Sequence, residues 1–242
     1  MTSLMTLGDA AARIFAAVDT PDPRAASALC QALGGTVGGI KLGLEFFVAN
    51  GPDAVRAART EDQRLFLDLK FHDIPNTVAG AVQAVCALEP ELITIHAGGG
   101  PAMIEAARRA AEEAGGANRP RVIAVTVLTS LGDEDLQKVG QRPPAADQVL
   151  RLARLAHDSG ADGAVCSPLE AAVLRAELGR DFLLVVPGVR PPGSAADDQK
   201  RVMTPKDAIA AGADILVIGR PITRAPDPAA AAWDIAKGMA EA

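Results

Sequence analysis

Short apolar runs recur along the chain, at 14–18, 37–40, 65–69, 92–95, 122–127, 163–166, 182–186 and 215–218. They are continuous rather than alternating, which is the pattern of parallel strands buried on both faces. Segments of helical character separate them, at about 24–33, 44–59, 76–88, 101–115, 147–158 and 228–239, with a break at Asn50-Gly51-Pro52. Ser167-Pro168 reads as a further helix start. Thr204-Pro205-Lys206-Asp207 reads as an N-cap, a proline at the first helical position and an acidic first turn. Eight strand–helix units in 242 residues predict an α/β fold, a single (β/α)8 barrel over 1–242, because such a barrel takes about 250 residues. An open doubly wound sheet is the weaker alternative. No linker, low-complexity tract or repeat divides the chain.

In such barrels the active site forms at the C-terminal ends of the strands. Asp19, Lys41, Asp68, Lys70, His96, Thr129, Ser130, Pro187, Gly188, Gly219 and Arg220 all fall there. The densest stretch is Leu65-Phe66-Leu67-Asp68-Leu69-Lys70-Phe71-His72-Asp73-Ile74-Pro75-Asn76-Thr77. Period-two alternation puts Phe66, Asp68 and Lys70 on one side of the strand. A carboxylate and an ammonium at the end of an apolar strand are costly unless paired. Taken alone, Asp68 and Lys70 could be a structural ion pair. Asp73 follows past the strand end, and Pro75 suits the first turn of a helix. Lys41, Asp68, Lys70 and Asp73 make an alternating array in which each charge lowers the cost of its neighbours.

The loops after strands seven and eight are the usual phosphate region of this fold. Here they carry Gly188, Arg190, Gln199, Gly219 and Arg220. Glycines let backbone N–H groups approach an anion, and arginine grips phosphate with two prongs. Gly98-Gly99-Gly100 lacks the spacing of a dinucleotide or P-loop motif and reads as a tight strand-to-helix turn. His72 and His96 lack a metal-ligand pattern, so no metal is expected. His157 falls on a helix and reads as structural. Ser130 has no visible His–Asp partnership for nucleophilic catalysis.

Composition narrows the classes. Hydrophobic residues make up 49% and aromatics only 3%, with no tyrosine, so Ala, Leu, Val and Ile fill the core. A net charge of −6 argues against a nucleic-acid-binding surface. Cys30, Cys86 and Cys166 are dispersed and form no C-x-x-C, which fits buried thiols in a reducing compartment. No basic leader and no apolar run near the length of a membrane span is present, so neither signal peptide nor membrane span is expected, and the expected location is cytoplasmic.

The run Asp68-x-Lys70-x-x-Asp73-Ile74-Pro75-Asn76-Thr77 closely resembles the signature of the orotidine 5′-phosphate decarboxylases. The likeness extends to Asp19, Lys41-Leu42-Gly43, Thr126-Val127-Leu128-Thr129-Ser130, Pro187-Gly188-Val189-Arg190, Asp198-Gln199 and Ile218-Gly219-Arg220-Pro221, and is to the bacterial branch. It implies conversion of orotidine 5′-monophosphate to UMP and CO2, the last step of de novo pyrimidine synthesis, with no metal or organic cofactor. It implies a homodimer in which Asp73 and Thr77 reach the partner's site. Lys70 would stabilise and protonate the C6 carbanion, beside Asp68, with Lys41 and Asp73 holding the array. Asp19, Lys41 and Thr77 would bind ribose hydroxyls and Ser130 would face the pyrimidine, with Thr129 and Pro187 among the other substrate-binding residues. Arg190, Gln199, Gly219 and Arg220 would hold phosphate. Two other readings stay open. One is a Mg²⁺-dependent sugar-phosphate lyase or decarboxylase of the same barrel group; the other is a nucleotide-binding barrel without catalysis.

Overall fold

A computed structural model describes residues 5–191 and 203–241. Among them, parallel strands β1 (Ile14–Ala17), β2 (Gly39–Gly43), β3 (Arg64–Phe71), β4 (Leu92–His96), β5 (Arg121–Val125), β6 (Gly163–Val165), β7 (Leu183–Pro187) and β8 (Ile215–Ile218) follow one another in sequence order. They close into a barrel, with β8 paired back onto β1. This is the expected (β/α)8 architecture.

Alternation along each strand divides the core into two layers. Leu65, Leu67 and Leu69 of β3 join the outer layer between sheet and helices. Phe66 joins the inner layer with Phe15, Ala17, Leu92, Ile123, Val185, Ile215 and Val217. Alanines fill much of the outer layer, including Ala107, Ala110 and Ala111 of the helix Pro101–Gly115, and let that helix lie close to the sheet. The inner layer rests on the edge-to-face pair Phe15 and Phe66, with ring centroids 6.2 Å apart. The Arg64 guanidinium covers Phe15 at 5.0 Å from its centroid and closes the N-terminal end. Gly39 makes room for that ring, since a Cβ there would lie 2.4 Å from Phe15 Cε1.

The N-terminal ends of the strands are tied by arginine–carboxylate pairs. Arg119 grips Asp162 with two hydrogen bonds of 2.8 and 2.7 Å, and Asp162 also accepts the Val122 N–H at 2.8 Å. Arg175 pairs with Asp214, which accepts the Leu184 N–H at 2.8 Å. Of the three thiols expected to be buried, Cys30 and Cys166 are, whereas Cys86 is only half-buried. Burial pushes the Cys30 thiol up to about 12. Among the described residues no helix is long and apolar enough to cross a membrane.

Local differences from the sequence reading have local causes. A helix over Leu7–Ala12 precedes β1; its capping box between Thr6 and Asp9 sets it, rather than an extended apolar face. The polar loop after β5 contains the helix Asp133–Lys138, with three acidic residues in its first turn and Leu136 as its buried anchor. Ser167-Pro168 does not open a helix. Glu170 Oε2 accepts the Ser167 N–H at 2.8 Å, and the helix begins at Ala171. Residues 44–58 form two helical pieces joined where Gly51 takes φ 74°, the break expected there.

Gly163 of β6 has no space for a side chain, because a Cβ would lie 2.4 Å from Leu183 O on β7. Gly163→Ala is therefore expected to lower unfolding free energy by about 1–3 kcal/mol, read from the urea midpoint. Gly238→Ala, at an open position in the helix Pro228–Ala240, is the control and is expected to raise it by about 0.5–1 kcal/mol. Equal midpoints for the two variants would refute the close-contact account of Gly163.

Candidate active site

The inner faces of β1 to β3 end in charge, and that of β4 in a hydroxyl. Beyond β1, Asp19 accepts from Lys41 Nζ of β2 at 3.0 Å. Lys41 Nζ also lies 3.7 Å from Asp68 Oδ2 of β3, and Lys70 Nζ donates to that same oxygen at 2.8 Å. The other carboxylate oxygen, Asp68 Oδ1, accepts from the Thr94 hydroxyl of β4 at 2.9 Å. Side-chain exposure is 13% for Asp68, 10% for Lys41 and 30% for Lys70, so the centre of the cluster is largely withdrawn from water, while Asp19 at its edge is exposed.

Burial pushes the Asp68 carboxyl up, but Lys41, Lys70 and the hydrogen bonds from Lys70 and Thr94 outweigh it and hold the group below its ordinary range. Asp68 is thus a carboxylate at neutral pH, with Lys41 and Lys70 both facing its Oδ2. Facing this charged wall is an apolar floor. Lys41, Asp68, Lys70, Phe66, Val125, Val127, Val165, Val185, Val217, Leu128, Thr129 and Pro187 enclose a cavity of about 190 Å³. Fixed charges at the edge of an apolar cavity act more strongly than they do in bulk water.

Lys70 reaches this position through an irregular backbone. Leu67 pairs with Ile93 and Phe71 with Ile95, so four steps along β3 match two along β4. Within this bulge Lys70 takes φ 51°, a left-handed conformation costing a non-glycine residue of order 1–3 kcal/mol. Its N–H donates to the Thr94 hydroxyl at 2.8 Å.

The other expected residues are dispersed around the mouth. Thr129 and Pro187 line the cavity, while Ser130 is exposed beside it. Gly188 takes φ 77°, and Arg190 is buried, with Nη1 donating to Val189 O at 3.0 Å and its N–H to Met203 O at 3.0 Å. Gly219 precedes the single helical turn Arg220–Thr223, and Arg220 is half-buried. Gln199 and Asp198 lie outside the described residues. Asp73 is exposed, with Oδ1 accepting from the Ile74 N–H at 2.6 Å, and no ion pair joins it to the cluster among the described residues. Thr77 is exposed on the first turn of the helix Pro75–Cys86. His72 and His96 stack with centroids 5.2 Å apart. Among the described residues no group of three or more His, Cys, Asp or Glu side chains is placed to hold a metal ion.

A profile described as "Orotidine 5′-phosphate decarboxylase / HUMPS family" matches residues 12–235. The chain is 58% identical over 227 residues to the orotidine 5′-phosphate decarboxylase of Rhodospirillum rubrum, covering 92% of each chain. It belongs to that family. The Thermobifida fusca decarboxylase is 54% identical, with 93% of this chain and 95% of that one covered. The crystal structure of the Lactobacillus acidophilus orotidine 5′-phosphate decarboxylase superposes with a TM-score of 0.83 at 39% identity, covering 93% of this chain and 98% of that one.

Thr94 is the site residue that the sequence reading missed. A threonine within Leu92-Ile93-Thr94-Ile95 reads as an ordinary β-branched strand residue. The available signal was alternation, which puts Leu92, Thr94 and His96 on the face opposite Ile93 and Ile95.

His96 generates a pH prediction. Burial, then His72 and Lys70, depress its pKa below the ordinary 6.5, with Asp68 opposing. The unfolded chain therefore takes up a proton that the folded chain refuses. Stability present above pH 6.5 is lost as pH falls toward the folded value. His96→Gln is expected to flatten this decline when urea midpoints are compared between neutral and mildly acidic pH. A variant that loses stability as steeply as the parent would remove His96 as its source.

Proposed function

We propose that the chain decarboxylates orotidine 5′-monophosphate to UMP and CO2 in the cytoplasm, without metal or organic cofactor. The observation carrying this is the Asp68–Lys70 pair, 2.8 Å apart at the rim of an apolar cavity, in a chain whose curated relatives bear that activity's name.

The chemistry follows from charge. Breaking the bond from C6 to the carboxylate carbon releases CO2 and leaves the electron pair on C6, in the ring plane. The ring delocalises that pair poorly, so nearby positive charge must stabilise it. Lys70 supplies its ammonium and then transfers a proton to C6, giving UMP; its neutral amine regains a proton from water. Asp68 sits beside the substrate carboxylate, and its repulsion is relieved as CO2 departs. Lys41, bonded to Asp19 and near Asp68, keeps Asp68 charged without occupying the place of Lys70.

Asp19, Lys41 and Thr77 bind ribose hydroxyls, and Thr129, Ser130 and Pro187 surround the base. Arg190, Arg220, Gly219 and Gln199 hold the phosphate. Binding energy at the phosphate, far from the reacting carbon, contributes to the transition state. The working unit is a homodimer in which Asp73 and Thr77 complete the partner's site. The exposure of both, next to an Ile74 that is 66% exposed, supports that reading.

Substrate absorbance should fall in a buffer containing EDTA, and Lys70→Ala should lower kcat by about 10²–10⁴-fold while UMP still binds. Turnover only with added Mg²⁺ would return the site to the sugar-phosphate reading; UMP binding without turnover would return it to a binding barrel. Mixing Lys70→Ala with Asp73→Asn should regain activity that neither has alone, because a mixed dimer holds one intact site. Failure to regain it, with subunit exchange verified, would place Asp73 outside the partner's site.

A further inference from the structure

Thr94 joins two features that depend on each other. The bulge in β3 takes the Lys70 N–H out of the regular ladder, and a buried N–H without an acceptor is costly. The Thr94 hydroxyl provides the acceptor at 2.8 Å and is completely buried. Its single proton is then committed, because the Lys70 N–H can only donate and an ionised carboxylate can only accept. That proton goes to Asp68 Oδ1 at 2.9 Å. With Oδ1 tied down, Oδ2 is the oxygen presented to Lys70 and Lys41, at 2.8 and 3.7 Å.

One hydroxyl therefore fixes the backbone from which the Lys70 side chain springs and the rotation of the carboxylate that receives its ammonium. We propose that Thr94 is a positioning residue for the reaction, holding Asp68 and Lys70 in the arrangement from which Lys70 serves C6. This rests on the decarboxylase reading given above. A methyl in place of the hydroxyl leaves the strand and its volume nearly unchanged. It frees the carboxylate to rotate and leaves the Lys70 N–H without its acceptor.

The test compares wild type, Thr94→Val and Thr94→Ser for kcat and KM with orotidine 5′-monophosphate, for UMP binding and for urea midpoint. Thr94→Val is expected to bind UMP near wild-type strength and to lose about 10–100-fold in kcat, the effect of stranding a buried hydrogen-bonding group at the reacting pair. Thr94→Ser, which keeps the hydroxyl, should recover most of that loss. A merely structural threonine would lower the urea midpoint in the valine variant and leave kcat of the folded fraction unchanged. Unchanged kcat, or an equal loss in Thr94→Val and Thr94→Ser, overturns the proposal. If Thr94→Val does not fold, Thr94→Ser and Thr94→Cys make the same comparison, being close in size and unequal as hydrogen-bonding groups. Retention in serine with loss in cysteine supports it, and equal activities overturn it. A wild type without turnover sinks the decarboxylase reading and this inference together. An active wild type beside an unimpaired Thr94→Val sinks this inference alone.

Discussion

Asp68 keeps its negative charge inside the barrel because every side from which it is approached offers a compensating group. Lys70 and Lys41 face one oxygen and the Thr94 hydroxyl holds the other. Remove the compensation and burial drives the carboxyl toward its neutral form. The arrangement is mutual, because the same carboxylate lets two lysines share one small mouth. Three adjacent strands must therefore end at matched heights, and barrel closure holds them there.

The two ends of the barrel handle charge differently. At the N-terminal end, Arg119 with Asp162 and Arg175 with Asp214 form pairs whose carboxylates also accept a strand N–H. Those pairs are complete in themselves and fasten neighbouring strands together. At the C-terminal end the ammonium of Lys70 is part-exposed at the rim of a cavity floored by valines. A pair that is complete stabilises the fold. A pair with one face open toward an apolar cavity is available to act on whatever enters it.

Much of this was legible in the sequence because it depends on period and position. Continuous apolar runs reported parallel strands, and alternation put Phe66, Asp68 and Lys70 on the inner side. Position at strand ends singled out Asp19, Lys41, Thr129 and Pro187. The unread parts depend on pairing between strands, which no single strand encodes. The β3 bulge carries no glycine to announce it, and it holds a lysine at φ 51°. Thr94 has the composition of an ordinary strand residue, and only its partners across the ladder reveal its task. The helices Leu7–Ala12 and Asp133–Lys138 are short and set by their first turns, which a search for apolar periodicity passes over. Gln199 lies outside the described residues, so its expected place at the phosphate rests on its position in the loop and on the family resemblance.

The hydrogen bond from the Lys70 amide to a side-chain hydroxyl also has a consequence in time. A ladder amide is released only when two strands part, a cooperative event that draws on the stability of the whole sheet. A threonine side chain sits in one of three staggered wells, and its rotation is a local event. The amide of Lys70 is thus secured by a rotor rather than by a seam. Hydrogen exchange at that one position becomes a clock for the motion of Thr94, slow while Asp68 holds the hydroxyl and faster when that anchor is gone.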